Sequence, residues 1–138
     1  MQRIIVALAD DQNEIGWENV IRDNLLARPY QNTLVLIYPE DRNAGLIETL
    51  CREASVPVFP IPKNTERYSN AVAYHRRSRW ILDLLIGARE HHISTHVCMF
   101  TEFINPSDFE LKDFIGYCYA LEIPITQYLR NGGFVYDP

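Results

Sequence analysis

The sequence has no apolar run that approaches the roughly 20 residues needed to cross a bilayer as a helix. Its first apolar stretch is short and Asp10 and Asp11 follow at once, which is not the pattern of a signal peptide. Internal repeats, low-complexity segments and linkers are absent as well. These absences predict a single cytoplasmic domain over residues 1–138.

Cysteine is scarce, and Cys51, Cys98 and Cys118 are odd in number and far apart. This usage favours buried thiols in a reducing compartment over a disulfide framework. The spacing of the histidines and of Cys98 matches no standard zinc pattern, and Cys118 has no obvious base nearby in the sequence. We therefore predict neither a metal site nor a catalytic thiol.

Basic residues are outnumbered, since the formal net charge is −5. An acidic chain argues against bulk nucleic-acid binding, which usually shows a basic excess. Four arginines nevertheless cluster between residues 67 and 79. On a helical projection Arg77 and Arg79 flank an apolar face, where they either bind a phosphate or carboxylate or remain solvated.

Short apolar runs typical of buried strands alternate with segments of helical periodicity. The predicted strands are 3–9, 33–38, 56–61, 94–101 and 123–129, and the predicted helices are 17–27, 46–54, 71–87 and 107–121. This order predicts an α/β fold, a Rossmann-like open doubly wound, mostly parallel five-stranded sheet with helices on both faces. Prolines place the third strand at an end or an edge, and the last five residues form a tail or a small extra strand.

Ligands of such sheets bind at the carboxyl ends of the strands, near the point where the strand order reverses. Those ends are polar here, and their carboxylates either bind ribose hydroxyls, hold Mg²⁺ or act as acid and base, or are simply solvated. The predicted ligand-binding residues are Asp10, Asp11, Asp41, Arg42, Asn43, Gly45, Lys63, Asn64, Arg77, Ser78, Arg79, Glu102 and Phe103.

Several of these segments also resemble a known family. The strand and loop at 35–45, the strand at 56–59, the basic segment and helix at 68–82 and the strand at 96–100 follow the order of the SLOG superfamily. That Rossmann-like group is related to DprA and to the LOG phosphoribohydrolases, and the resemblance is closest to its DUF2493-like branch. It covers about residues 1–128 and implies a nucleotide-like ligand, although the glycine-rich motifs are degenerate here.

The resemblance and the polar strand ends favour a non-enzymatic module that binds a nucleotide-like or nucleotide-derived small molecule as a sensor, carrier or sequestering protein. One alternative is a nucleotide hydrolase or N-glycosidase, such as a LOG-like phosphoribohydrolase, with Glu102 or Asp10 as acid or base. Another is a protein-interaction subunit with a vestigial pocket. No resident cofactor is predicted, and Mg²⁺ bound together with a nucleotide is the alternative.

A second apolar stripe lies opposite the predicted core face of the long helix. It consists of Ala73, Trp80 and Leu84. A tryptophan in such a stripe predicts either an interface anchor in a homo-oligomer or a helix buried on all sides within one chain. We favour the homo-oligomer, most simply a two-fold dimer.

Overall fold

The computed structural model describes residues 2–9, 11, 15–26, 32–39, 41–61, 70–102 and 109–137 and, among these, all side chains except those of 70–78, 109–113 and 134–137. Within these ranges the strands are β1 (Arg3–Leu8), β2 (Thr33–Ile37), β3 (Val58–Pro60), β4 (Ser94–Phe100), β5 (Ile125–Tyr128) and β6 (Phe134–Asp137). The α-helices are α1 (Trp17–Ile21), α2 (Ala44–Glu53), α3 (Asn70–Glu90) and α4 (Phe109–Ala120).

The strands form one sheet in the order β3-β2-β1-β4-β5-β6. The first five are parallel, and β6 runs antiparallel to β5. This arrangement confirms the predicted α/β fold, a Rossmann-like, mostly parallel open sheet. The last residues add the small extra strand β6, and the proline-containing β3 lies at an edge, where a missing N–H costs no ladder hydrogen bond.

The sheet is buried on both faces because successive side chains of a strand point to opposite sides. Ile5 and Ala7 of β1 pack in a cluster with apolar residues of α1 and α2. Ile4 and Val6 pack on the other face with residues of α3 and α4. Two helices thus cover each face, and the near-continuous apolar runs of the sequence follow from this double burial.

The first helix changes its geometry after Ile21, and Arg22–Leu26 form a π-helical segment. Here the Asn24 side chain donates from Nδ2 to the Val20 carbonyl at 2.8 Å, in competition with the regular backbone bonds. Arg3 donates from Nη2 to the Leu25 carbonyl at 2.8 Å, which ties the segment to the amino end of β1.

The three cysteines are buried and free, as predicted for thiols outside any disulfide framework. Of the helices in the described ranges, none combines the length and apolarity that a membrane crossing requires.

Candidate ligand-binding site at the carboxyl ends of the strands

The strand order reverses between β1 and β4, which are neighbours in the sheet although the chain leaves them in opposite directions. The loops after these two strands are joined at this point. The backbone N–H of Glu102, just past β4, donates to Asp11 Oδ2 at 3.2 Å. The residues that carry the Asp11 and Glu102 carboxylates are therefore joined at the edge where ligands of such sheets bind.

Arg130, just past β5, holds both of these carboxylates. Its Nη2 lies 3.2 Å from Asp11 Oδ1, and its backbone N–H donates to Glu102 Oε1 at 3.0 Å. Its Nε is 3.8 Å from the same Glu102 oxygen. The side chains of Arg130 and Asp11 are only 28% and 10% exposed, so this pairing is screened less by water than a surface ion pair.

The stem of Arg130 passes over the start of α1. Its guanidinium carbon lies 5.7 Å from the centroid of the Trp17 ring, within cation–π range. Gly16 makes this approach possible, because a Cβ atom on it would stand 3.0 Å from Arg130 Cγ. Gly16 also has a φ of 92°, a left-handed conformation that suits glycine.

An aromatic row supports the arginine from below. Trp17 meets Phe100 edge to face with ring centroids 6.4 Å apart, and Phe100 stacks on Tyr128 at 5.2 Å. Trp17 and Phe100 are completely buried. The row links α1, β4 and β5 in favourable ring geometries and gives the site a rigid base.

The loop between β2 and α2 is fastened to the end of β1 by two hydrogen bonds. The N–H of Ala9 donates to Asp41 Oδ2 at 2.9 Å, and the N–H of Asn43 donates to the Ala9 carbonyl at 3.0 Å. Asn43 directly precedes α2 but its side chain makes no capping bond. That side chain is 2% exposed, and neither Oδ1 nor Nδ2 has a hydrogen-bond partner among the residues that the structure describes.

The sequence-predicted site residues divide into three groups. Asp11, Asp41, Asn43 and Glu102 lie together at this edge, with the exposed Arg42 and Gly45 on the same loop and helix start. Arg79 is 79% exposed and pairs with Asp83 at 3.1 Å, four residues along the helix. Asp10, Lys63, Asn64 and Phe103, and the side chains of Arg77 and Ser78, lie outside the described residues.

The predicted interface stripe is described in part. Trp80 is 41% exposed, whereas Leu84 is half-buried and packs against the core cluster beneath α3 and α4. The side chain of Ala73 lies outside the described residues.

The surroundings of the cysteines and of His96 bear on the predictions about nucleophiles and metal ligands. Burial raises the pKa of Cys51 to about 11 and the pKa of Cys118 to about 12. Burial likewise raises the pKa of Cys98 to about 12, so all three thiols are protonated at neutral pH. His96 places Nε2 2.7 Å from Thr126 Oγ1, and no group of three metal-capable side chains occurs in this part of the chain.

The strand-end analysis of the sequence missed Arg130 and Trp17. Arg130 follows the predicted fifth strand, so the rule that selected residues after the first four strands also reaches it. The sequence pattern predicts that Trp17 is an ordinary core residue, because it begins an amphipathic helix. Nothing in the sequence pattern shows that its ring lies under an arginine that is more than a hundred residues away.

Comparisons of the chain with family models, with curated proteins and with solved structures found no match. The SLOG resemblance therefore stays a prediction. The function has to be argued from the chemistry of the strand-end residues themselves.

Proposed function

We propose that this protein is a binding module for a nucleotide-like or nucleotide-derived small molecule, held at the carboxyl ends of β1, β2 and β4. The observation that carries the proposal is the Asn43 side chain, 2% exposed and without a hydrogen-bond partner in the described ranges. An unpaired buried polar group typically costs about 1–3 kcal/mol. Such a cost is tolerated where a ligand supplies the missing partners.

The neighbouring carboxylates suit the hydroxyl groups of a ribose. Glu102 accepts the Arg130 N–H through Oε1, and its side chain remains 37% exposed. A carboxylate has about four lone-pair sites on its two oxygens, so Glu102 retains acceptor capacity for a ligand hydroxyl. The location between β1 and β4 is where open α/β sheets bind their ligands.

Binding without turnover is the form of the proposal, as a sensor, carrier or sequestering protein. Asp11, Asp41 and Glu102 each accept hydrogen bonds from protein N–H groups, which orient them for binding. The protonated thiols offer no nucleophile at neutral pH. The proposal includes the resemblance to the DUF2493-like branch of the SLOG superfamily. It also includes Mg²⁺ as an ion that would enter bound to the nucleotide.

The test begins with the purified protein. Denaturation followed by mass spectrometry of the released small molecules identifies any ligand that co-purifies, and a thermal-shift panel of nucleotides extends the search. A bound nucleotide at a hundredfold excess over its Kd should raise the Tm by about 5–10 °C. Chromatography of the incubated nucleotides checks for products. Turnover would replace this proposal with the hydrolase alternative, and a panel without any shift would favour the vestigial pocket.

Two arginine variants make that experiment more specific. Arg77→Ala should weaken the binding of an anionic nucleotide by about 1.5–3 kcal/mol if Arg77 donates a charge-assisted hydrogen bond to it. Arg79→Ala is the matched control on the same helix, because Arg79 is exposed and paired with Asp83. Equal affinities of the two variants and the wild type would assign both arginines to the solvated surface.

A further inference from the structure

Among the buried side-chain polar atoms that lack a hydrogen-bond partner in the described chain, three belong to two neutral side chains near the strand ends. They are Asn43 Oδ1, Asn43 Nδ2 and Trp17 Nε1. Asn43 is 2% exposed and Trp17 is completely buried, so bulk water does not replace the missing partners. Buried side-chain polar atoms are partnered in the large majority of cases, and three exceptions on two residues call for one explanation.

The two side chains belong to the same corner of the fold. Asn43 is hydrogen-bonded through its backbone to Ala9, and Trp17 packs against Phe100. Leu8 pairs with Met99 in the sheet. The next residues, Ala9 and Phe100, therefore lie beside each other at the carboxyl ends of the two neighbouring strands. Ala9, Trp17 and Phe100 belong to one buried cluster on the α1–α2 face. Asn43 and Trp17 thus lie at the same end of the sheet, and Ala44, next to Asn43, belongs to the same cluster as Trp17.

The chemistry of these atoms selects a ligand group. A carboxamide presents an acceptor beside a donor, and an indole adds a second donor. A phosphate has no N–H to offer to Asn43 Oδ1. Nucleobases carry donor and acceptor atoms side by side on one edge, and asparagine pairs with such an edge through two hydrogen bonds.

The surrounding charges point the same way. The described carboxylates at this edge are Asp11, Asp41 and Glu102, the guanidinium of Arg130 lies between Asp11 and Glu102, and Arg42 is exposed on the loop before α2. Carboxylates repel a phosphate but not a neutral heterocycle. The geometry points to Asn43 and Trp17 as the recognition site for the nucleobase of the ligand, an inference that rests on the proposed function and names the part of the nucleotide that is read.

The first experiment separates the base from the sugar phosphate. Adenosine, guanosine, cytidine and uridine are each tested by calorimetry and thermal shift beside ribose 5-phosphate. At least one nucleoside should bind, and ribose 5-phosphate should bind at least tenfold more weakly. Ribose 5-phosphate binding as tightly as the best nucleoside overturns the inference while leaving the proposed function intact.

Two substitutions then address the side chains. Asn43→Leu keeps a similar volume and removes the unpaired atoms, so the free protein should unfold at the same or a higher temperature while the Kd of the best nucleoside rises about tenfold to a hundredfold. Trp17→Phe should raise the Kd as well, by a smaller factor. Asn24→Leu is the matched control, since Asn24 already donates to the Val20 carbonyl. Unchanged Kd values in both site variants contradict the inference.

A spectroscopic readout keeps the inference testable even where a substitution in the core prevents folding. The chain has two tryptophans, and Trp80 is exposed. In the Trp80→Phe protein the only indole N–H resonance belongs to Trp17. The best nucleoside should move that resonance downfield as the N–H gains an acceptor, and ribose 5-phosphate should leave it in place. A nucleoside that binds without moving the resonance excludes Trp17 from the contact.

Absence of binding by every nucleoside and nucleotide would instead remove the proposed function itself.

Discussion

Arg130 Nη2 lies 3.2 Å from Asp11 Oδ1, a contact between residues 119 positions apart that joins the loop after β1 to the loop after β5. The same arginine contacts Glu102 after β4. The three loops around the reversal of strand order are therefore held by a single cation. A ligand that bound at this edge would meet loops that are already joined, which would lower the ordering cost of binding.

Replacing that cation should destabilise the protein. Arg130→Met keeps an apolar stem over Trp17 but removes the guanidinium that both carboxylates contact. We expect the free energy of unfolding to fall by about 1–3 kcal/mol in urea titrations. Arg22→Met is the matched control, because Arg22 also contacts two carboxylates, Glu18 and Glu53, but with all three side chains well exposed. It should cost less than about 1 kcal/mol. Equal losses in the two variants would show that Arg130 is no more than a surface pair.

Two glycines allow the approach of Arg130 to Trp17 to be tested separately from backbone strain. Gly16 and Gly132 have φ values of 92° and 90°, but only Gly16 has a neighbour, Arg130, within reach of an added Cβ. Both alanine variants should lose about 1–2 kcal/mol because the left-handed conformation disfavours a Cβ. Gly16→Ala should lose more, since it also displaces the Arg130 stem. Thermal unfolding of the two variants checks this, and a loss at Gly132 that equals the loss at Gly16 would contradict it.

Much of the fold was predictable because parallel strands covered on both faces are apolar along their whole length. The runs at 3–9, 33–38 and 94–101 therefore identify the central strands to within a residue. The π-helical segment was not predictable, because it depends on how Asn24 and Arg3 meet carbonyls near the end of the first helix. Periodicity describes one helix at a time and carries no information about such contacts.

The candidate site was predictable only where it depends on strand ends. Asp11, Asp41, Asn43 and Glu102 follow strands directly, so topology alone brings them to one edge. The burial of Asn43 was not predictable, since asparagine is mostly exposed in proteins and its position here depends on the bond to Ala9. The part that each of these residues plays in binding stays a prediction.

The buried thiols should make the protein less stable in alkali. The thiol pKa is 9.0 in the unfolded reference and is raised by burial to about 11 for Cys51 and about 12 for Cys118. Below pH 9 both states hold the proton. Above pH 9 the unfolded state releases it first, so the unfolding free energy falls as the pH rises towards 11–12.

A single substitution isolates one thiol from the other groups that titrate in alkali. Between pH 10 and 11 the unfolding free energy of Cys118→Ala should fall less steeply than that of the wild type, by up to about 1.4 kcal/mol per pH unit. Urea titrations at several pH values measure the slopes. At pH 8 the native protein should also leave a thiol reagent unreacted until it is denatured. Parallel slopes, or rapid labelling of the native protein, would show that the thiols are accessible.

The last prediction concerns assembly through the outer face of α3. Trp80 is 41% exposed, and its neighbours Arg79 and Asp83 pair with each other at 3.1 Å. Leu84, one turn further on, packs into the core of its own chain, so Trp80 is the described residue of the stripe that is free to anchor a partner. Tryptophan is among the residues most enriched at interface hot spots.

We expect light scattering to show a homo-oligomer that is heavier than the 16.1 kDa chain, and we expect the mass of the Trp80→Glu variant to fall towards that of one chain. Phe59→Glu is the control, since Phe59 is an aromatic residue of similar exposure, 47%, on the edge strand β3. A wild-type mass of one chain would refute the prediction. Retention of the assembly by Trp80→Glu would place the contact elsewhere, and its loss in both variants would point to general destabilisation rather than to an anchor on α3.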